Sequence, residues 1–414
     1  MRFHRLRPSQ PDLFSSWRLL LSWRGVAARP RGPDLFDGGP PARLQTVLGV
    51  LALGRPHFAL RVLIAIALTW LPLLALTALQ SAMSGDASVG AFLTDYAAHA
   101  RFLVALPLLL LGEKICLPQL GAIVRHFRDT GLIAPQDRDS FNHALVSTVR
   151  LRDSLRLEIA VLTISVAIAL TIFVELPAHI FPAWHHLAAG GQGGISPAGL
   201  WHALVSTPIL FILSLGWLWR LVLWTRFLWL VSRLNLCVMP AHPDGAGGLK
   251  FLGFSTQSFS VLACAFGAIV AGTVANRVTH DGASLFSFRY LIAGFDVLCL
   301  VLFVSPLLVF SGRLMEAWWR GLREYGALAR YIGRALERKW LNREVGSEAL
   351  EANDFSATVD FYSVAANACT INIVPVAMRN IFILAAGAML PFIPILLAAV
   401  PPTVLVQKLA GLLF

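Results

Sequence analysis

Apolar residues are gathered into seven long stretches, and the charged residues lie mainly between these stretches. A helix needs about 20 consecutive apolar residues to cross the roughly 30 Å hydrocarbon core of a bilayer, and each stretch is close to that length. The pattern therefore predicts an all-α fold, a polytopic membrane bundle of about seven transmembrane helices. The predicted spans are Phe58–Leu79, Arg101–Leu120, Leu157–Phe181, Leu200–Leu221, Gln257–Asn276, Tyr290–Ser311 and Ile381–Val400.

Composition and charge favour the same interpretation. The chain has 57% hydrophobic and only 14% charged residues, whereas soluble domains have about 25% charged residues. Of the 34 Lys and Arg residues, those on the less basic side or at its edge are Arg101, Arg277, Arg289 and Lys408. Because loops rich in Lys and Arg stay in the cytoplasm, we expect a bacterial inner-membrane protein with a cytoplasmic amino terminus. Anionic lipid headgroups account for the net charge of +11, so no nucleic-acid partner is expected.

The spans divide the chain into four regions. These are 1–57, a basic cytoplasmic region; 58–311, a bundle of six spans; 312–380, a cytoplasmic amphipathic segment; and 381–414, the last span with a short apolar tail. Within the first region, Asp12–Gly25 has the pattern of an interfacial amphipathic helix, with a disordered basic tail as the alternative. The side of the carboxyl terminus stays open, as does re-entry of residues 403–414 into the membrane.

Two carboxylates interrupt the apolar spans. Glu175 and Asp296 each lie about 9 Å below the outer boundary, at about 1.5 Å per residue, so they could meet. A charge inside a membrane is costly and usually functional, so one hypothesis is a site for a cation or a proton. An interhelical ion pair with a basic residue such as Arg101 is one alternative, and snorkelling to the interface is another.

Histidines gather at the outer ends of the third and fourth spans: His179, His185, His186 and His202. Imidazoles can ligate a transition metal, and His179 follows Glu175 at helical spacing. The glycine-rich stretch 190–194 between them fixes no ligand geometry, so solvated histidines are the alternative and the metal stays unknown. The five cysteines include no Cys-x-x-Cys pair, so we expect no disulfide, no zinc site and no cofactor.

A glycine-rich loop precedes the fifth span on the cytoplasmic side. It reads His242-Pro243-Asp244-Gly245-Ala246-Gly247-Gly248. Closely spaced glycines let backbone N–H groups converge on an anion, and Asp244 could bind a cation or act as a base. Pro-Asp-Gly is also a strong turn former, so a tight turn leading into the next span is the alternative.

The segment after the sixth span has the pattern of an amphipathic helix. Apolar residues recur every three or four positions and include Trp318, Leu322 and Tyr325. This stripe could bind a partner helix or the membrane surface, and packing on its own protein is the alternative.

The sequence contains no standard catalytic or nucleotide-binding motif. The expected function is a transporter or channel for a small solute, a cation or a proton. A scaffold or signalling component acting through the cytoplasmic helix is the second hypothesis. A lipid-modifying membrane enzyme, using His242 and Asp244 with nearby Arg233, is the third.

Overall fold

A computed structural model describes residues 58–175, 181–187, 194–340 and 352–399. Within these ranges the regular structure is helical, apart from isolated β-bridges between Ile133 and Leu236 and between His186 and Ile195. The predicted all-α class is therefore confirmed. The predictions of an interfacial helix over Asp12–Gly25 and of a re-entrant tail lie outside the described residues, as does His179.

The helices follow one another along the chain with short connections. They are α1 Phe58–Thr69, α2 Leu71–Ser84, α3 Ser88–Leu93, α4 Tyr96–His99, α5 Leu106–Asp129, α6 Arg138–Arg152, α7 Leu155–Glu175, α8 Pro197–Trp201, α9 Thr207–Ser232, α10 Gly253–Ser258, α11 Ser260–His280, α12 Arg289–Val304, α13 Ser311–Trp340, α14 Ala352–Cys369, α15 Met378–Met389 and α16 Ile393–Ala399. Two π-helical segments, Ala100–Ala105 and His202–Ser206, continue α4 into α5 and α8 into α9.

Six helical stretches are long and apolar enough to cross a membrane, and they correspond to six of the predicted spans. They are Phe58–Ser84, Leu155–Glu175, Pro197–Ser232, Lys250–His280, Leu285–Arg338 and Met378–Ala398. Large apolar side chains on these helices, such as Leu63, Ile159 and Leu298, are more than half exposed. In a bilayer such side chains face lipid tails, so the chain is a multipass membrane protein.

The remaining predicted span, Arg101–Leu120, is helical but is not among the six. It contains three charged residues, Arg101, Glu113 and Lys114, which lower its apolar character. Its α5 portion is nonetheless central, because Leu106 and Leu109 are completely buried. A seventh crossing therefore stays a prediction.

The predicted amphipathic segment is not separated from the sixth span by a loop. The 3-10 segment Ser305–Phe310, which contains Pro306, follows α12 and leads directly into α13. Proline removes a backbone donor and disturbs the α-helical ladder, which accounts for the tighter winding here.

Helix α11 packs against the α4–α5 region on one side and against α15 on the other. Small residues permit this close approach. A Cβ added at Gly272 would lie 2.5 Å from the Cβ of Ala100 and 3.0 Å from the carbonyl oxygen of Tyr96. Helix α7 packs against α9, and α12 packs against α15.

Candidate functional site

Polar side chains gather at the end of the bundle where α2 and α7 finish and α8 begins. We name Asp95, Arg101, His185 and His202 the histidine cluster. Arg101 and His202 belong to the two π-helical segments, and His185 ends the 3-10 segment Ala183–His185. π-Helical turns are rare and occur frequently at functional sites, so their presence on both sides of the cluster is informative.

The carboxylate of Asp95 is buried and fully hydrogen-bonded. It accepts hydrogen bonds from the indole N–H of Trp184 at 3.0 Å, the side-chain amide of Asn276 at 2.8 Å and the backbone N–H of Ala98 at 3.0 Å. The last bond caps the start of α4, a role that Asp fills well. Asp95 therefore joins α4, α11 and the loop that carries His185. The only sequence signal for this role is an Asp directly before a helix start.

His185 is buried without using its polar atoms. The side chain is 2% exposed, and neither ring nitrogen has a hydrogen-bond partner in the described part of the chain. The ring stacks on Phe181 at 5.2 Å and lies edge-on to Trp184 at 4.1 Å. Burial lowers the pKa of His185 to about 3, although the nearby charge of Asp95 opposes this shift. His185 is therefore neutral at ordinary pH, with one unused donor and one unused acceptor.

Arg101 and His202 also have polar groups that can accept further hydrogen-bond partners. Among the described residues the half-buried guanidinium of Arg101 has no hydrogen bond and no ion pair, and it lies close enough to act electrostatically on both imidazoles. The buried ring of His202 lies 4.8 Å from that of His185, and its only described polar contact is a long one, 3.4 Å from Nε2 to the Thr207 hydroxyl. The cluster thus offers a guanidinium and two imidazoles to a further group.

Hydrogen bonds hold the backbone around His185 in place. The backbone N–H of Ser196 donates to the carbonyl of His185 at 2.8 Å, and the Ser196 hydroxyl donates to the carbonyl of Trp184 at 2.8 Å. The Gln80 amide donates to the carbonyl of His186 at 3.1 Å. Gly199 is required here, because a Cβ would lie 2.8 Å from the His185 carbonyl oxygen.

A second charged group lies further along α5. We name Arg61, Glu113 and Arg220 the ion triad. One carboxylate oxygen of Glu113 lies 2.6 Å from Arg61 and the other 3.1 Å from Arg220, so the triad links α1, α5 and α9. The neighbouring Lys114 has a different partner, with its ammonium 5.4 Å from the Phe58 ring centre. This separation agrees with adjacent helical residues pointing to different faces.

The predicted carboxylate pair is not joined in the structure. Glu175 is exposed at the last position of α7, whereas Asp296 is half-buried on α12 with one oxygen lacking a described hydrogen-bond partner. These helices have different main neighbours, α9 and α15, and no described hydrogen bond or ion pair connects the two carboxylates. Arg101 lies near Asp95. A shared site for Glu175 and Asp296 stays a prediction.

The predicted metal candidates are only partly brought together. His185 and His202 are adjacent, and His186 follows His185 on the loop. Among the described residues, no group of three or more His, Cys, Asp or Glu side chains could hold a metal ion. A metal role stays a prediction that the described residues do not support.

The glycine-rich loop does form a backbone cradle, and Asp244 itself occupies it. The carboxylate accepts backbone N–H groups from Ala246 at 2.8 Å, Gly248 at 3.1 Å and Lys250 at 3.1 Å, and lies 2.8 Å from His242. Burial raises the pKa of Asp244, but these hydrogen bonds outweigh it and hold the pKa below its usual value. The three glycines, Gly245, Gly247 and Gly248, have φ values of 66°, 62° and 92°. This geometry favours the turn interpretation.

The amphipathic helix α13 packs partly on its own protein. Helix α14 lies against it, the indole of Trp318 donates to the carbonyl of Cys369 at 3.0 Å, and the Tyr362 hydroxyl donates to the carbonyl of Ala329 at 3.4 Å. Tyr325 is half-buried, whereas Leu322 remains 39% exposed. The apolar stripe is therefore divided between an internal contact and an open face.

Comparison with protein-family models, with characterised proteins and with solved structures found no match. The described residues define the class, a multipass helical membrane protein. Any assignment beyond that class depends on the histidine cluster, the ion triad, the glycine-rich loop and the α13 face.

Proposed function

We propose that the protein moves a small solute or ion across the membrane, and that the histidine cluster is its binding region. The observation that carries this proposal is the burial of the His185 imidazole, with both ring nitrogens unused, beside the guanidinium of Arg101, which has no described hydrogen bond or ion pair. An unsatisfied polar group in an apolar interior costs about 1–3 kcal/mol. Ionisable groups inside membrane bundles usually mark substrate or ion pathways, which supports retention of these groups for transport.

The winding of the helices at the cluster adds support. The segments Ala100–Ala105 and His202–Ser206 depart from α-helical winding next to the cluster. Such π-helical turns occur frequently at functional sites. The proposed substrate is a small solute, a cation or a proton.

The proposed setting is the inner membrane of a bacterium, with the amino terminus in the cytoplasm. Loops rich in Lys and Arg support this orientation. The glycine-rich loop and α13 then face the cytoplasm, near anionic lipid headgroups, and the histidine cluster lies towards the opposite side.

Flux into proteoliposomes of the purified protein tests the proposal. Wild type is compared with Arg101→Gln, with Glu175→Gln/Asp296→Asn, and with Arg289→Gln, a matched control because Arg289 is an exposed cation. We expect flux of at least one member of a panel of organic anions, inorganic ions and protons. Arg101→Gln should abolish that flux and Arg289→Gln should preserve it. Absence of flux for the whole panel would contradict transport, and loss only in the double variant would move the site to the two carboxylates.

A scaffold role is the second candidate, and the open face of α13 favours it. Leu322, Leu328 and Tyr331 are 39%, 47% and 69% exposed on this charged helix. A protein partner would bind there, near Trp318 and Tyr325. Leu322→Ser would then remove a copurifying partner while leaving flux unchanged, whereas an unchanged partner profile would argue against this role.

A further inference from the structure

We infer that Arg101, His185 and His202 bind the oxyanion group of a small organic solute, such as a carboxylate. This inference deepens the proposed function and rests on it for the translocation step. It concerns the substrate class, which the transport proposal leaves open between anions, cations and protons.

The unused donors at the cluster favour an anion. Arg101 is the cationic member, and no described acceptor forms a hydrogen bond with its guanidinium. The one acidic member, Asp95, has its carboxylate oxygens occupied by Trp184, Asn276 and the start of α4, and its charge acts on Arg101 without a described ion pair. A cation entering here would meet an unpaired guanidinium, whereas a carboxylate matches its planar donor fork in two parallel hydrogen bonds.

The imidazoles supply further donors without further charge. His185 is neutral, so it offers one N–H and one lone pair, and both are unused. His202 lies 4.8 Å away with only the long contact to Thr207. An oxyanion that accepts an N–H from each ring would satisfy the His185 donor, which is otherwise buried without a partner, and would add to the one long contact of His202.

The surroundings favour an anion with an apolar body. Aromatic rings line the imidazoles, with Phe181 stacked on His185, Trp184 edge-on to both histidines, and Phe102 edge-on to His202 at 5.6 Å. These aromatic surroundings disfavour a fully hydrated multivalent anion, because desolvation of a charge is costly. They favour a monoanion whose carbon skeleton packs on aromatic faces, as in the mostly apolar pockets that bind small molecules.

Isothermal titration calorimetry on the purified full-length protein tests this site. The probes are benzoate, acetate, inorganic phosphate, choline and phosphatidylglycerol in mixed micelles. We expect benzoate to bind wild type and to bind Arg101→Gln roughly ten- to hundredfold more weakly, as for loss of a charge-assisted hydrogen bond. Arg101→Lys, which keeps the charge but loses the planar fork, is the second variant if Arg101→Gln does not fold. Arg289→Gln should bind as wild type does.

The alternatives give distinct results. Binding of phosphatidylglycerol alone, lost in both Arg101 variants, would support an oxyanion site whose ligand comes from a lipid headgroup. Equal weakening by Arg289→Gln would indicate general surface attraction and overturn the site, as would binding of choline alone or of no probe. Benzoate binding without flux of any solute would defeat the transport proposal and leave the site intact. Flux of protons or cations without oxyanion binding would defeat only this inference.

Discussion

The histidine cluster and the ion triad lie about 18 Å apart along one helical stretch, at about 1.5 Å per residue, yet they treat charge differently. In the triad, each carboxylate oxygen of Glu113 faces a guanidinium, that of Arg61 or that of Arg220. In the histidine cluster, the acid is saturated by neutral donors while Arg101 and His185 keep unused groups. The ion triad is therefore suited to holding helices together, and the histidine cluster is suited to binding a ligand.

The difference follows from how buried charges are stabilised. An ion with a close counter-ion and hydrogen bonds is tolerated in a low-dielectric interior, and removing one partner is strongly destabilising. A polar group without partners contributes only its desolvation cost. Substitution in the two regions should therefore change stability in opposite directions.

The largest expected effect is on the triad. Glu113→Gln would leave Arg61 and Arg220 facing each other without a carboxylate, and loss of one member of a buried ion pair costs about 3–5 kcal/mol. We expect a large fall in thermal unfolding temperature of the detergent-purified protein. Glu324→Gln, an exposed position on α13, is the matched control and should change stability little. Equal unfolding temperatures for Glu113→Gln and wild type would remove the structural role assigned to the triad.

Sequence reasoning reached the helices of these two regions but not their contacts. Long apolar runs predicted seven spans, and six of them correspond to helices long and apolar enough to cross a membrane. A three-and-four spacing predicted the amphipathic helix that α13 forms. Both signals are local, because helix periodicity depends on neighbours within a few turns. The end positions differ where a 3-10 segment joins α12 to α13.

The contacts of the histidine cluster join residues that are far apart in the sequence. Asp95 meets Trp184 across 89 positions and Asn276 across 181 positions, and hydrophobic periodicity carries no information at such separations. Equal depth suggested that Glu175 and Asp296 could meet, but depth leaves the direction around each helix free. That direction depends on how the helices pack, here α7 on α9 and α12 on α15.

In the glycine-rich loop, the carboxylate of Asp244 is hydrogen-bonded, as that of Glu113 is in the ion triad. Asp244→Asn keeps the shape but removes the charge that three backbone N–H groups face, so we expect a loss of about 1–3 kcal/mol. Hydrogen bonding holds the pKa of Asp244 below its ordinary 3.8. Its contribution is therefore fully present above that value and is lost as the pH falls through the lower folded-state pKa.

Unfolding of wild type and Asp244→Asn across a descending pH series checks this sign. The difference in unfolding free energy should shrink as the pH falls below about 4. A difference that grows as the pH falls would show that the carboxylate is protonated in the folded loop. It would then reopen the hypothesis that His242 and Asp244 do chemistry.

The smallest expected effect is a gain in stability at the histidine cluster, opposite in sign to the loss expected at the ion triad. His185→Phe would replace two unpartnered ring nitrogens by apolar atoms among Phe181 and Trp184, so we expect stability to rise by about 1–2 kcal/mol. His99→Phe is the matched control, because the His99 ring accepts from the Trp70 indole at 3.0 Å and contacts the Leu93 carbonyl at 3.1 Å. That variant should lose stability. If His185→Phe is more stable but no longer binds an oxyanion, the imidazole serves binding at a cost in stability. A less stable His185→Phe would show that His185 has a structural partner and that the histidine cluster resembles the ion triad.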